Sequence, residues 1–113
     1  MKLSEEKNGD VLVIRPAEPR LDSSVSSEFK TELLRIFEQE SARHVLIDLA
    51  KVEYVDSSGL GALLFGHRHA QSASGVLKLV NLNPKVRTLI AIANLGEILE
   101  SFDDEATAIA SFE

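Results

Sequence analysis

Residues 52–66 have the sequence VEYVDSSGLGALLFG and mark the passage from a loop into a helix. Just before them, residues 45–49 form a short apolar run rich in β-branched side chains, which is typical of a buried strand. Within the segment, three leucines recur at helical spacing: Leu60, Leu63 and Leu64. The sequence therefore predicts a strand, a loop and a helix that begins at Ser57.

The predicted start of this helix consists of small polar residues and glycine. Asp56, Ser57 and Ser58 are favoured there because their oxygens accept hydrogen bonds from the first free backbone N–H groups. Gly59 and Gly61 would cost about 1 kcal/mol each in a helix interior relative to alanine, but near its start they let another backbone come close. Two hydroxyls beside a carboxylate then lie at the positive end of a helix, which tolerates a phosphate group well.

The same six residues resemble the signature of a known family. Taken alone, an Asp-Ser-Ser-Gly sequence is more often only a helix cap. With Val55 and a strand ending in Asp48-Leu49 before it, however, Asp56-Ser57-Ser58-Gly59-Leu60-Gly61 is similar to the signature of the STAS domains. It is closest to the stand-alone anti-anti-sigma factors of bacteria. The resemblance covers nearly all of the 113 residues and implies a single STAS domain over residues 1–113.

This resemblance implies a phosphorylation switch. In that family the first serine after the aspartate is phosphorylated by a partner kinase, and that serine corresponds to Ser57. The unphosphorylated protein would bind an anti-sigma factor, itself a serine kinase of the GHKL ATPase fold, and so release a sigma factor. A metal-dependent serine phosphatase would reverse the modification. The chain would be an anti-sigma factor antagonist and a substrate of these partners, not an enzyme, and would need no cofactor.

A second loop is also expected near the partner. Asp22 matches the aspartate of the family's Gly-x-Leu-Asp loop, which here reads Pro19-Arg20-Leu21-Asp22. Proline replaces the glycine and Arg20 replaces a frequent acid, and these departures bear on the choice of partner. The residues expected to bind the partner are Asp22, Asp56, Ser57, Ser58, Gly59, Leu60 and Gly61.

An alternative function within the family is structural. STAS domains also serve as subunits or appendages of transport systems and as scaffolds in sensory assemblies, without a phosphorylation cycle. The intact Asp-Ser-Ser-Gly sequence favours the switch, because a scaffold has no need of a hydroxyl at that position.

Composition narrows the class of protein further. A chain of 113 residues with 44% hydrophobic and 27% charged residues suits one globular domain. It has no long apolar run and no signal-peptide pattern, so neither membrane insertion nor export is expected. The absence of cysteine fits the cytoplasm and excludes disulfides and thiolate metal sites. A net charge of −6 argues against direct nucleic-acid binding.

The rest of the chain predicts an α/β fold. The sheet is expected to be mixed and mostly parallel, with an N-terminal antiparallel hairpin turning at Asn8-Gly9, and about four helices accompany it. The predicted strands cover residues 1–7, 11–14, 45–49, 76–80 and 98–102. The predicted helices run from caps at 22–24 to about 41, from 57 to about 73 before a cap at Gly75, from Pro84 to a stop at 95–96, and from a cap at Asp103 to about 110.

Rival chemistries find little support in the sequence. A nucleotide-binding loop would need a different glycine spacing and a Gly-Lys-Ser/Thr sequence. A hydrolase would need a base near Ser57, but His67 and His69 lie on the order of 15 Å down the helix, where they are expected to be exposed. These two histidines are also two residues apart and do not share a helical face, so they predict no metal site. The acidic residues near the C-terminus are interpreted as a solvated face, with a partner surface as the alternative: Glu97, Glu100, Asp103, Asp104 and Glu105.

Overall fold

A computed structural model describes all residues, 1–113. Seven strands and four helices follow one another along the chain. Their order is β1 (Leu3–Asn8), β2 (Val11–Pro16), β3 (Arg20–Leu21), α1 (Ser26–Glu38), β4 (His44–Asp48), β5 (Tyr54–Val55), α2 (Ser57–Ser72), β6 (Val76–Val80), α3 (Pro84–Ile92), β7 (Ser101–Phe102) and α4 (Glu105–Ala110).

The main sheet has five strands in the order β1-β2-β4-β6-β7. The strands β1 and β2 are antiparallel and meet at the predicted turn, where Gly9 has a φ of +61°. Every other pairing in this sheet is parallel. The predicted α/β fold with a mixed sheet, an N-terminal hairpin and four helices is therefore confirmed.

Both faces of the central strands are buried. One face packs against α1 and α2 in a large core that includes Leu12, Ile14, Val45, Ile47, Leu77 and Leu79. The other face packs against α4 through Val11, Val13, Leu46, Val80 and Ala108. None of the four helices has both the length and the apolar character that crossing a lipid bilayer requires.

A two-stranded parallel sheet, formed by β3 and β5, was not predicted. Its register pairs Arg20 with Tyr54 and Leu21 with Val55. The N–H groups of Glu53 and Tyr54 both donate to the carbonyl of Pro19, at 2.7 and 3.2 Å, which anchors the start of the pair. This small sheet joins the loop before α1 to the loop before α2.

Several predicted helix ends are wrong by a few residues. Helix α1 begins after Val25 without a side-chain cap, and it ends at Glu38 rather than near residue 41. Helix α4 is capped by Asp104, whose carboxylate accepts the N–H of Thr107 at 2.8 Å, and not by Asp103. Asp103 instead pairs with Arg87 at 2.8 Å.

The C-terminal ends of α2 and α3 use left-handed residues other than glycine. Ser74 and Asn94 have φ values of +58° and +59°, so neither Gly75 nor Gly96 is the residue that turns the chain. Gly75 is needed for a different reason, since a Cβ there would lie 2.0 Å from the carbonyl oxygen of Arg43. The last predicted strand is likewise shorter than expected and is limited to Ser101–Phe102.

The acidic residues near the C-terminus are not simply a solvated face. Glu100 pairs with the buried Lys78 at 3.2 Å. Glu105 pairs with Arg15, which also binds the buried Asp48 at 2.7 Å. With Asp104 capping α4, most of this cluster stabilises the sheet and its neighbouring helix.

Candidate functional site

Asp56 caps the helix α2, as the sequence predicted. Its Oδ1 accepts the N–H groups of Ser58 and Gly59 at 2.9 and 3.0 Å, and it also accepts the Ser58 hydroxyl at 2.6 Å. The bond from the Ser58 hydroxyl, helped by those two N–H groups, holds the pKa of the Asp56 carboxyl below its ordinary value. Asp56 is therefore a fixed negative charge at the start of α2.

The two adjacent serines have different environments. Ser57 is exposed in the first position of α2, and its hydroxyl makes no hydrogen bond within the chain. Ser58 is half-buried, and its hydroxyl is held by Asp56. The prediction that the helix begins at Ser57 is confirmed. The geometry also separates the two hydroxyls, which the sequence could not do.

Gly59 lets the β3 segment lie directly against α2. A Cβ at Gly59 would stand 2.0 Å from the carbonyl oxygen of Leu21, which is far inside a normal contact. The same oxygen accepts the N–H of Asp56 at 3.3 Å. The glycine thus allows the close approach that the sequence predicted, and the neighbouring backbone belongs to the chain itself.

The other two motif residues differ in what they offer to the surface. Leu60 is 7% exposed and belongs to the hydrophobic core. A Cβ at Gly61 would meet nothing within 4 Å, so this side of α2 is open. Within the motif, Gly59 and Leu60 are therefore buried, Ser57 is exposed, and Asp56, Ser58 and Gly61 are half-buried.

Asp22 lies beside this site at the end of β3. Its carboxylate accepts the hydroxyl and the N–H of Ser24 and the Nε of Arg20, the last at 3.1 Å. These bonds, that of the Ser24 hydroxyl above all, lower the pKa of Asp22. The charge of Asp22 in turn tends to raise the pKa of Asp56, so the two carboxylates are close enough to interact. Ser57 therefore comes directly after one of two neighbouring negative charges.

Neither of the two histidines of α2 forms a hydrogen bond with Ser57. His69 lies further down α2, where its ring packs on Phe65 at a centroid distance of 4.4 Å and its Nδ1 lies 3.3 Å from the Phe65 carbonyl oxygen. His67 and His69 are half-buried rather than exposed as predicted. No cluster of three or more His, Cys, Asp or Glu residues is placed to hold a metal ion.

Ser57 does not line either of the two main cavities of the molecule. A cavity of about 790 Å³ is lined by the β1–β2 turn and by the segment that leads into β4, and Ser57, Asp22 and Asp56 do not line it. A smaller one of about 220 Å³ lies between the last turns of α2, β6 and the segment before β7. Both cavities therefore lie outside the polar site at the start of α2.

The fold and the motif together define a family. A model of the STAS domain matches residues 2–108. The chain therefore belongs to the STAS domain family, and the resemblance predicted from Asp56 to Gly61 is confirmed.

Particular relatives share both the length and the fold of the chain. An anti-sigma F factor antagonist of Paenibacillus polymyxa is 24% identical over 113 residues, which cover 100% of this chain and 96% of the relative. The fold matches that of an anti-sigma-factor antagonist (STAS) domain protein from Planctomyces limnophilus, with a TM-score of 0.87 and 23% identity over 97% of each chain. It also matches the Bacillus cell fate determinant SpoIIAA in the phosphorylated form, with a TM-score of 0.74 and 21% identity over 99% of this chain and 100% of that one.

Proposed function

We propose that this protein is an anti-sigma factor antagonist whose binding is switched by phosphorylation of Ser57. In its unphosphorylated form it binds an anti-sigma factor and so releases a sigma factor, and phosphorylation ends that binding. The observation that supports this proposal best is the exposed, unbonded Ser57 hydroxyl at the start of α2 in a chain whose relatives are anti-sigma factor antagonists.

The domain is suited to accept a phosphate without unfolding. A phosphoserine carries nearly two negative charges, and the positive end of a helix favours such a group. Few backbone donors remain for it, however. The N–H groups of Ser58 and Gly59 already bind Asp56, and the N–H of Asp56 binds Leu21. A phosphate on Ser57 would therefore project into solvent, stabilised by the helix dipole more than by direct hydrogen bonds.

The same phosphate would oppose docking. It would add its charge next to Asp56 and near Asp22, on the surface that the partner covers in this proposal. Like charges that face each other across an interface cost several kcal/mol, so the phosphate would repel a carboxylate that the partner presents there, and it would add bulk to the contact. One covalent change would thus end binding while the fold persists.

The catalytic steps of the cycle belong to partners. An anti-sigma factor that is also a serine kinase of the GHKL ATPase fold would transfer phosphate from ATP to Ser57, and a metal-dependent serine phosphatase would remove it. Residues 1–113 would act as a single STAS domain in the cytoplasm, as a binding module without enzymatic activity. Its docking surface would be formed by the exposed Ser57 and the half-buried Asp22, Asp56, Ser58 and Gly61, while the buried Gly59 and Leu60 would hold the start of α2 in place.

The proposal is tested with two substitutions of one residue. Ser57→Ala removes the acceptor hydroxyl and should bind the anti-sigma factor as wild type does. Ser57→Asp should weaken binding at least about tenfold, which requires only about 1.4 kcal/mol. Because the helix end favours a negative charge, Ser57→Asp should melt no lower than Ser57→Ala. Titration calorimetry and thermal melts measure both effects.

A matched control lies on the same helix. Ser72 is exposed in the last turn of α2, about 22 Å from Ser57 at the usual rise of a helix. Ser72→Asp makes the same chemical change and should leave binding unaltered. Wild-type binding by Ser57→Asp would contradict the switch. A pull-down that recovers a permease or transport ATPase in place of a kinase would favour the scaffold function.

A further inference from the structure

Next to Ser57, the small β3–β5 sheet presents an arginine stacked on a tyrosine. The guanidinium carbon of Arg20 lies 4.3 Å from the centre of the Tyr54 ring. Tyr54, the only tyrosine of the chain, is 43% exposed, and the side chain of Arg20 is 60% exposed. Tyrosine and arginine are enriched among the residues that dominate the binding energy of protein interfaces, so an exposed pair of this kind is typical of a contact surface.

The register of β3 and β5 puts this pair on the outer face of the small sheet, beside the start of α2. Side chains alternate between the two faces of a strand, and Leu21 and Val55 point into the core. Arg20 and Tyr54 therefore point outward, on the face that Asp22 and Asp56 share two residues further on. Ser57 directly follows Asp56 as the first residue of α2, so Tyr54 of the stacked pair lies three residues before the hydroxyl along the chain.

The arginine is held in place with its binding groups free. Its Nε donates to Asp22 at 3.1 Å and its plane rests on Tyr54, so its position is fixed from two sides. The two terminal nitrogens make no hydrogen bond within the chain. Such a fork of parallel N–H groups matches the two oxygens of a carboxylate. Because the side chain is already ordered, binding a carboxylate loses less conformational entropy than with a free arginine.

We propose that Arg20 determines partner specificity in the function proposed above, by binding a carboxylate on the docking face of the anti-sigma factor. Asp22 and Tyr54 are positioning residues that hold the guanidinium towards the partner. This inference rests on the proposed function, because it places the anti-sigma factor over Ser57. Asp22 would then act by holding Arg20 and not by binding the partner directly, because both carboxylate oxygens of Asp22 already accept hydrogen bonds from the chain itself.

The test uses the anti-sigma factor that Ser57→Ala binds, purified and titrated against a set of variants. Arg20→Glu should weaken binding at least about 30-fold, because it sets a negative charge against the partner's carboxylate. Arg20→Gln and Arg20→Lys should weaken it about tenfold and about fivefold, since neither provides a bidentate fork. Arg68 is exposed further along α2, so Arg68→Glu controls for the change in net charge and should alter binding less than threefold.

Three further results distinguish a direct contact of Arg20 with the partner from an effect of the net charge of the chain. Tyr54→Leu should weaken binding, and Arg20→Gln should cost less in that background than in wild type, because the two residues act together. When the surface carboxylates of the partner are changed to lysine one at a time, one of these changes should restore binding to Arg20→Glu and to no other variant of this chain. If Arg20→Glu and Arg68→Glu have equal effects while Ser57→Asp abolishes binding, the Arg20 contact is overturned and the switch stands. If Arg20→Glu abolishes binding and Ser57→Asp does not, the Arg20 contact stands and the switch is overturned.

Discussion

Gly59→Ala should destabilise the domain, although alanine is ordinarily the better helix residue. A Cβ at Gly59 would lie 2.0 Å from the carbonyl oxygen of Leu21, whereas real Cβ contacts are essentially never shorter than 3.0 Å. Either β3 or the first turn of α2 must therefore move by at least about 1 Å. The obstacle is backbone held by the hydrogen bond from Asp56, so no side-chain rotation can relieve it.

The size of the effect follows from two opposing contributions. Overpacking of a well-packed site costs about 1–3 kcal/mol, and a backbone obstacle places this case at the upper end. Replacing a helical glycine with alanine returns up to about 1 kcal/mol. The expected result is a net loss of about 2 kcal/mol in the free energy of unfolding. For a chain of this size, that lowers the melting temperature by about 8 °C.

Gly61→Ala is the matched control. It lies two residues further on in the same helix, and its added Cβ would meet nothing within 4 Å. This variant should therefore gain up to about 1 kcal/mol from helix propensity alone. Urea denaturation of both variants measures the difference, expected to be about 2–3 kcal/mol. If Gly59→Ala were as stable as Gly61→Ala, the close approach of Leu21 to α2 would be refuted.

Two further predictions concern the ends of α2. Ser74 has a φ of +58°, so Ser74→Gly should raise the free energy of unfolding by about 0.5–1 kcal/mol, and a loss of stability in urea denaturation would contradict the left-handed turn. Ser58→Ala should raise the pKa of Asp56 in an NMR titration, while Ser57→Ala should leave it unchanged, because the Ser58 hydroxyl is the main cause of the lowered pKa. The stability that the charged Asp56 contributes is present above about pH 3.8 and is lost as the pH falls through the folded pKa, so in Ser58→Ala this contribution should be smaller and its loss should be complete at a higher pH.

The sequence predicted those elements whose pattern is local. The strand β6 has the predicted bounds, because a run of apolar residues between Gly75 and Asn81 can hardly form anything else. The start of α2 and its cap at Asp56 were also predicted, since capping depends on the residues at the helix end itself.

Features that depend on contacts between distant residues were missed. The strands β3 and β5 have two residues each, which is too short for any periodicity, and they become strands only by pairing with each other. For the same reason the stacking of Arg20 on Tyr54 could not be predicted. Likewise, Asp103 and Asp104 are equivalent as caps until Arg87 approaches one of them.

The difference between the two serines of the motif could not be predicted from the residues alone. Both Ser57 and Ser58 are small hydroxyl residues at a helix start, and only the family resemblance selected Ser57. The distinction comes from Asp56, whose carboxylate binds the Ser58 hydroxyl and leaves that of Ser57 exposed. Whether Ser57 is the modified residue stays a prediction.

The most direct test of the central claim is to map the phosphate. The chain is incubated with the anti-sigma factor that Ser57→Ala binds, together with ATP, and the product is digested and sequenced by mass spectrometry. One phosphate per chain is expected on Ser57, and none on the Ser57→Ala variant. A phosphate found only on Ser58, or on no residue of the motif, would contradict it.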